Sequence, residues 1–154
     1  MNRLPAPLSA TLLLLYAGGC ATLGHQPVEK NVVQWRERCQ AGLEAARRGS
    51  ADEAHELFAG AVETCPVDQR ARELYAETLW ESGQRDKAMI HMQEAVRLSG
   101  GQPELRVRLG QMHLARGEQE QAAAQASQAI SATPQLACAW ALEGDVLHSR
   151  GQHD

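Results

Sequence analysis

One long apolar run opens the chain, and beyond it apolar residues recur with helical rather than strand spacing. The run, Leu8 to Ala17, reads LSATLLLLYA and is broken only by Ser9 and Thr11. At about 1.5 Å per residue it falls well short of a hydrocarbon core about 30 Å thick. It fits the apolar region of a signal peptide, with Arg3 as the preceding positive charge. The next stretch, to about Val33, is polar, holds Gly24 and Pro27, lacks periodicity, and is expected to be a flexible tether. The pattern then predicts helices over 34–48, 51–64, 68–82, 85–98, 103–116, 119–132 and 135–150. Ser50 and Glu53 spell a capping box for the second helix, and Asp68 can cap the third. Thr133 followed by Pro134 suits an N-cap and first helical position for the seventh.

A period of 34 residues underlies these helices. Gly49, Gly83, Gly117 and Gly151 lie on one grid, and each follows a helical stretch as a left-handed cap would. Gly42, Ala76, Gly110 and Gly144 form a second column, where a small residue lets two helices approach closely. Ala54, Ala88 and Ala122 form a third, and Ala61, Ala95 and Ala129 a fourth; being seven apart, they share one helix face. Pro66, Gly100 and Pro134 close each unit. Recurrence at this length means a stack of supersecondary units, each burying its apolar face against its neighbours.

Composition narrows the function. Aromatic residues make up 4% of the 154 and Ala supplies much of the apolar content, which favours close-packed helices over sheets. The 15 basic and 19 acidic residues leave a formal charge of −4 with no basic block, so a cationic footprint for nucleic acid is absent.

The columns resemble the tetratricopeptide repeat, TPR. The first unit carries Gly42, Ala54, Phe58, Ala61 and Pro66; the second Tyr75, Ala76, Ala88, Met92 and Ala95. The third carries Leu109, Gly110, Ala122, Ala126, Ala129 and Pro134, and a partial fourth opens with Trp140, Gly144, Leu147 and Gly151. Ala126 stands where the family has a bulky residue, and Gly100 where it has Pro. The resemblance implies an all-α, right-handed α-solenoid of about three and a half repeats over 34–154, divided near 35–68, 69–102, 103–136 and 137–154. It further implies a concave groove that binds a protein or peptide segment. By position its lining includes Arg36, Cys39 and Leu43, then Arg70, Glu73, Glu77 and Trp80, then Glu104, Val107, Gln111 and Leu114. Trp80 is the natural anchor. Family members that bind chaperones hold a C-terminal carboxylate in a Lys/Asn/Arg clamp; here Cys39 and Leu43 replace its Lys and Asn, which disfavours that ligand.

The N-terminal segment resembles a bacterial lipoprotein signal, with small residues Ala17-Gly18-Gly19 before Cys20. This implies removal of residues 1–19, lipidation of Cys20, and a tether over 20–33. An ordinary secretory signal and an uncleaved anchor are the alternatives. Ala21, where Asp would favour inner-membrane retention, implies the outer membrane, with the domain facing the periplasm.

No chemistry-bearing constellation stands out. His residues are scattered, Cys-x-x-Cys is absent, and Gly100-Gly101 lacks a phosphate loop's context. Cys138 and His148 share a helix but stand about 15 Å apart along it, too far for a nucleophile and base. Asp145 and His148 suit a local ion pair. Cys39 and Cys65 fall at helix ends that can meet, so they are either a disulfide or buried thiols. The expectation is a non-enzymatic, lipid-anchored adaptor or assembly factor, without cofactor or metal. The alternative is an accessory or regulatory module of an envelope enzyme, or part of a longer array. Trp140 and Leu147 on the last helix imply self-association through that end or a following helix that covers them.

Overall fold

The computed structural model describes residues 28–151, which form seven helices and, among the described residues, no strand. They are α1 (Val28–Arg47), α2 (Ala51–Thr64), α3 (Gln69–Glu81), α4 (Arg85–Leu98), α5 (Pro103–Ala115), α6 (Gln119–Ala132) and α7 (Ala137–Ser149). Helices α1 and α2, α3 and α4, and α5 and α6 pair as antiparallel hairpins. Each hairpin stacks on the next, α2 on α3, α4 on α5 and α6 on α7, giving a right-handed α-solenoid of three and a half repeats. Cys20 and the proposed signal peptide lie outside the described residues.

The glycine column sets the tight connections. Gly83 has φ +80°, a conformation a Cβ disfavours. It lets Gln84 N–H reach back to Leu79 C=O at 2.9 Å while Gly83 N–H bonds Trp80 C=O at 3.1 Å, closing α3 in a Schellman motif. Residues 49 and 117 repeat the geometry.

The core is built from the alanine columns. Ala54, Ala61, Ala88, Ala95, Ala122 and Ala129 are buried, and Phe58, Met92 and Ala126 fill the middle position of successive second helices. A Cβ on Gly42 would lie 2.6 Å from the Phe58 ring, so the small column is what seats the second helix on the first. Ala126 in place of a larger residue is accommodated by Val107, Leu142 and Val146, which enclose it with the flanking alanines.

Three local expectations need correction. Helix α1 starts at Val28, inside the span read as tether. The capping box does not form: the Ser50 side chain makes no capping hydrogen bond, Ser50 N–H bonds Ala45 C=O at 2.9 Å, and the Glu53 carboxylate pairs with Arg48 at 3.0 Å. Thr133 and Pro134 do not start α7: Thr133 closes α6 by bonding Ala129 C=O, and α7 begins at Ala137 after a turn. Asp68 does cap α3, accepting from Ala71 N–H at 2.8 Å. Among the described residues no helix is long and apolar enough to cross a membrane.

Candidate protein-binding groove

The first helices α1, α3, α5 and α7 form one layer of the solenoid and the second helices the other. On α3, residues 70, 73, 77 and 80 fall at helical spacing on one face. Arg70 is exposed and holds the half-buried Glu73 at 2.7 Å. Glu77 takes Arg108 of the next repeat at 2.8 Å, so this pair bridges two repeats. Burial pushes the Glu77 carboxyl above its ordinary range, and Glu73 and Glu81 add to the rise against the pull of Arg108. Trp80 is half-buried: it packs on the cluster of Ala76, Met89, Met92 and Leu105, and the Arg85 guanidinium lies over its ring at 5.3 Å. Arg36, Glu104 and Gln111 are exposed, and Arg36 lies over Trp35 at 5.5 Å.

Two residues assigned to the lining belong to the core instead. Val107 is 3% exposed and packs with α6 and α7. Cys39 is buried, and burial followed by the nearby Asp68 carboxylate pushes its thiol up to about 11. It is a protonated small hydrophobe, neither nucleophile nor clamp residue. Cys39, Cys65 and Cys138 are all free thiols.

The structure also shows an arginine column that the sequence reading passed over. Arg38, Arg72 and Arg106 are 34 apart and each staples its repeat. Arg38 donates to Gly60 C=O at 2.7 Å and to Thr64 Oγ1 on α2. Arg72 donates to Pro66 C=O at 2.7 Å and to His91 Nδ1 at 3.3 Å. Arg106 donates to Gly101 C=O at 3.0 Å and to Gln125 and Gln128 on α6. Spacing alone could have revealed the column. Beside it, Tyr75 lies between His55 and His91, with ring centroids at 5.2 and 4.7 Å. Burial, then Arg72, holds the His91 imidazole below its usual range, so it is neutral and accepts the Arg72 hydrogen bond.

Repeats two and three are further joined by charge. Arg116 bonds Asp86 at 2.6 Å and Glu118 at 2.7 Å, while His113 Nδ1 meets Glu118 at 2.6 Å. The His113 and Arg116 hydrogen bonds hold the Glu118 carboxyl below its ordinary range. At the far end Trp140 is 54% exposed, as its apolar helix implied, and its Nε1–H donates to Pro134 C=O at 2.8 Å.

No family model matches the sequence, and no curated protein is similar to it. Solved structures are. MamA superposes with a TM-score of 0.71 at 17% identity, over 81% of this chain and 73% of that one. The first TPR of Spaghetti (RPAP3), bound to the HSP90 peptide SRMEEVD, gives 0.71 at 15%, over 77% of this chain and 94% of that one. The Yersinia enterocolitica type III secretion chaperone SycD, in complex with a peptide of the translocator YopD, gives 0.67 at 13%, over 75% and 93%. With the 34-residue grid, the hairpin stacking and the small-residue columns, these likenesses give the chain the fold of a tetratricopeptide-repeat solenoid.

Proposed function

We propose that this chain is a lipid-anchored adaptor of the bacterial cell envelope. It faces the periplasm from the outer membrane and binds a protein or peptide segment in its concave groove during envelope, secretion or pilus assembly. The observation that carries the binding reading is the α3 stripe: a half-buried indole at one end and paired, half-buried carboxylates along it. An indole already held by Arg85 gains contact area at little entropic cost when a partner covers it. Similarly folded proteins hold peptides, among them the HSP90 and YopD peptides. The ligand here differs from SRMEEVD, because Cys39 is buried and neutral and Leu43 has no polar group.

A second reading, an accessory module of an enzyme, is favoured by one comparison. The chain matches 23% of the length of a Thermobaculum terrenum O-GlcNAc transferase at a TM-score of 0.68 and 20% identity.

Two experiments test the proposal. Cross-linked partners recovered from detergent-solubilised membranes are expected to fall at least about tenfold with Trp80→Ala, with most of the helicity retained. Equal recovery would remove the groove from the reading. Cys20→Ser is expected to abolish incorporation of a fatty-acid analogue and leave a precursor. Undiminished label on the variant would sink the anchor.

A further inference from the structure

The three arginines of the 34-residue column differ in what accepts their protons. Arg38 donates to Gly60 C=O at 2.7 Å and to Thr64 Oγ1, and Arg106 to Gly101 C=O at 3.0 Å and to the side-chain oxygens of Gln125 and Gln128. None of these oxygens takes up a proton between about pH 5 and 8. Arg72 is the exception. Besides Pro66 C=O at 2.7 Å, it donates to His91 Nδ1 at 3.3 Å, and His91 stands where repeat three has Gln125. Glu94, in register with Gln128, has both oxygens held by Arg97 at 2.8 and 2.6 Å. One tie of the column is therefore made to a base that titrates near neutral pH.

The groups facing His91 decide what a proton does there. Arg72 and Tyr75 approach it from α3, Tyr75 edge-on at 4.7 Å, and His55 of α2 lies beyond the same ring at 5.2 Å. Glu94 lies one turn away on α4, occupied by Arg97. A proton on Nδ1 turns the acceptor into a donor aimed at a donor and leaves two like charges 3.3 Å apart. Burial, then Arg72, accordingly holds the imidazole below its ordinary 6.5. Above that value His91 is neutral in the folded and the unfolded chain, and the tie is intact. As pH falls below it the unfolded chain takes the proton first, so stability declines until the folded chain is protonated too. We propose that repeat two is an acid-sensitive joint: protonation of His91 releases Arg72 and loosens the α3–α4 hairpin and its Tyr75 stack against α2, while repeat three stays tied. Because α3 carries the Trp80 stripe, acid would release a ligand held there. That consequence rests on the groove reading, whereas the joint itself does not.

Hydrogen exchange of the full chain in dodecyl maltoside micelles, corrected for intrinsic rates, tests the joint at about pH 7.5 and about pH 5. On acidification, protection in α3 and α4 is expected to fall at least about threefold relative to α5 and α6. His91→Gln, which installs the acceptor of repeat three, abolishes that difference. Carboxylates, Glu77 among them, are present in both proteins and cancel in the comparison. Equal acid loss in wild type and His91→Gln, or a loss shared evenly by α5 and α6, overturns the proposal. Titration of isotope-labelled histidine by NMR supplies a second readout. Arg72→Gln is expected to raise the pH at which His91 protonates, and an unmoved His91 titration overturns the proposal as well. Neither measurement involves a ligand, so a failure of the groove reading leaves both standing.

Discussion

Glu77 is the residue where burial and pairing act against each other. Burial raises its folded pKa above the ordinary 4.5, so protonated Glu77 favours the fold below that value, and the advantage is lost as pH rises through the raised pKa. At pH 7 the ionised group is partly desolvated, and its partner Arg108 is 55% exposed and well hydrated without it. Glu77→Gln is therefore expected to raise Tm by about 1–3 °C at pH 7, the scale of a sub-kcal/mol gain. The gain should vanish near pH 4. Melting curves at the two pH values decide it: a lower Tm for the variant at pH 7 would mean that the Arg108 pair outweighs desolvation.

Within an element the same residue type has opposite value in different repeats. Gly42 is beneath the Phe58 ring, with a virtual Cβ at 2.6 Å, and that ring is itself fully enclosed. Gly42→Ala must push α2 off α1, and overpacking of this kind costs about 1–3 kcal/mol, more than the helix-propensity gain of about 1 kcal/mol. Gly144→Ala has nothing to displace and keeps only the gain. Denaturant titration should show Gly42→Ala destabilised and Gly144→Ala stabilised by up to about 1 kcal/mol. Loss of stability at Gly144 would show that another element already covers that face. The alanine columns and the glycine caps were legible in the chain because each is a short-range geometric demand repeated on a fixed period. The helix starts were less so. At Ser50 and Glu53 the capping pattern was present, but Arg48 won the carboxylate, and at Thr133 the turn geometry assigned the residue to the helix before it.

For the whole molecule, stability should follow the stacking. Among the described residues, α3 to α6 have packed neighbours on both sides, whereas α7 packs mainly on α5 and α6. In a quasi-one-dimensional array each interface adds its own increment, so the end lacking a covering helix opens first. Hydrogen exchange is expected to be fastest in α7 and slowest in α3 and α4, with protection differing by about 2–3 kcal/mol, the scale of one lost helix interface in a marginal array. Uniform exchange across the helices would show one cooperative unit instead. The groove belongs to this scale too. Arg70, Glu73, Glu77 and Trp80 could be placed on one face from spacing, but their pairing could not, because Arg108 reaches Glu77 from the following repeat.

The amino-acid sequence by itself determined the periodicity, and with it the helix content, the hairpin unit, the glycine turns and the alanine core. Each follows from local sterics or from 3.6-residue spacing repeated on a 34-residue grid. Tertiary structure alone decided which side chains are free to act. Val107 and Cys39 carry the register of groove residues, yet a neighbouring helix or an adjoining hairpin buries each of them. Trp80 is half-covered by α4, and one carboxylate oxygen of the half-buried Glu143 lost its solvent without gaining a donor among the described residues. Burial depends on what the next element brings to a position, and that partner lies many residues away in the chain.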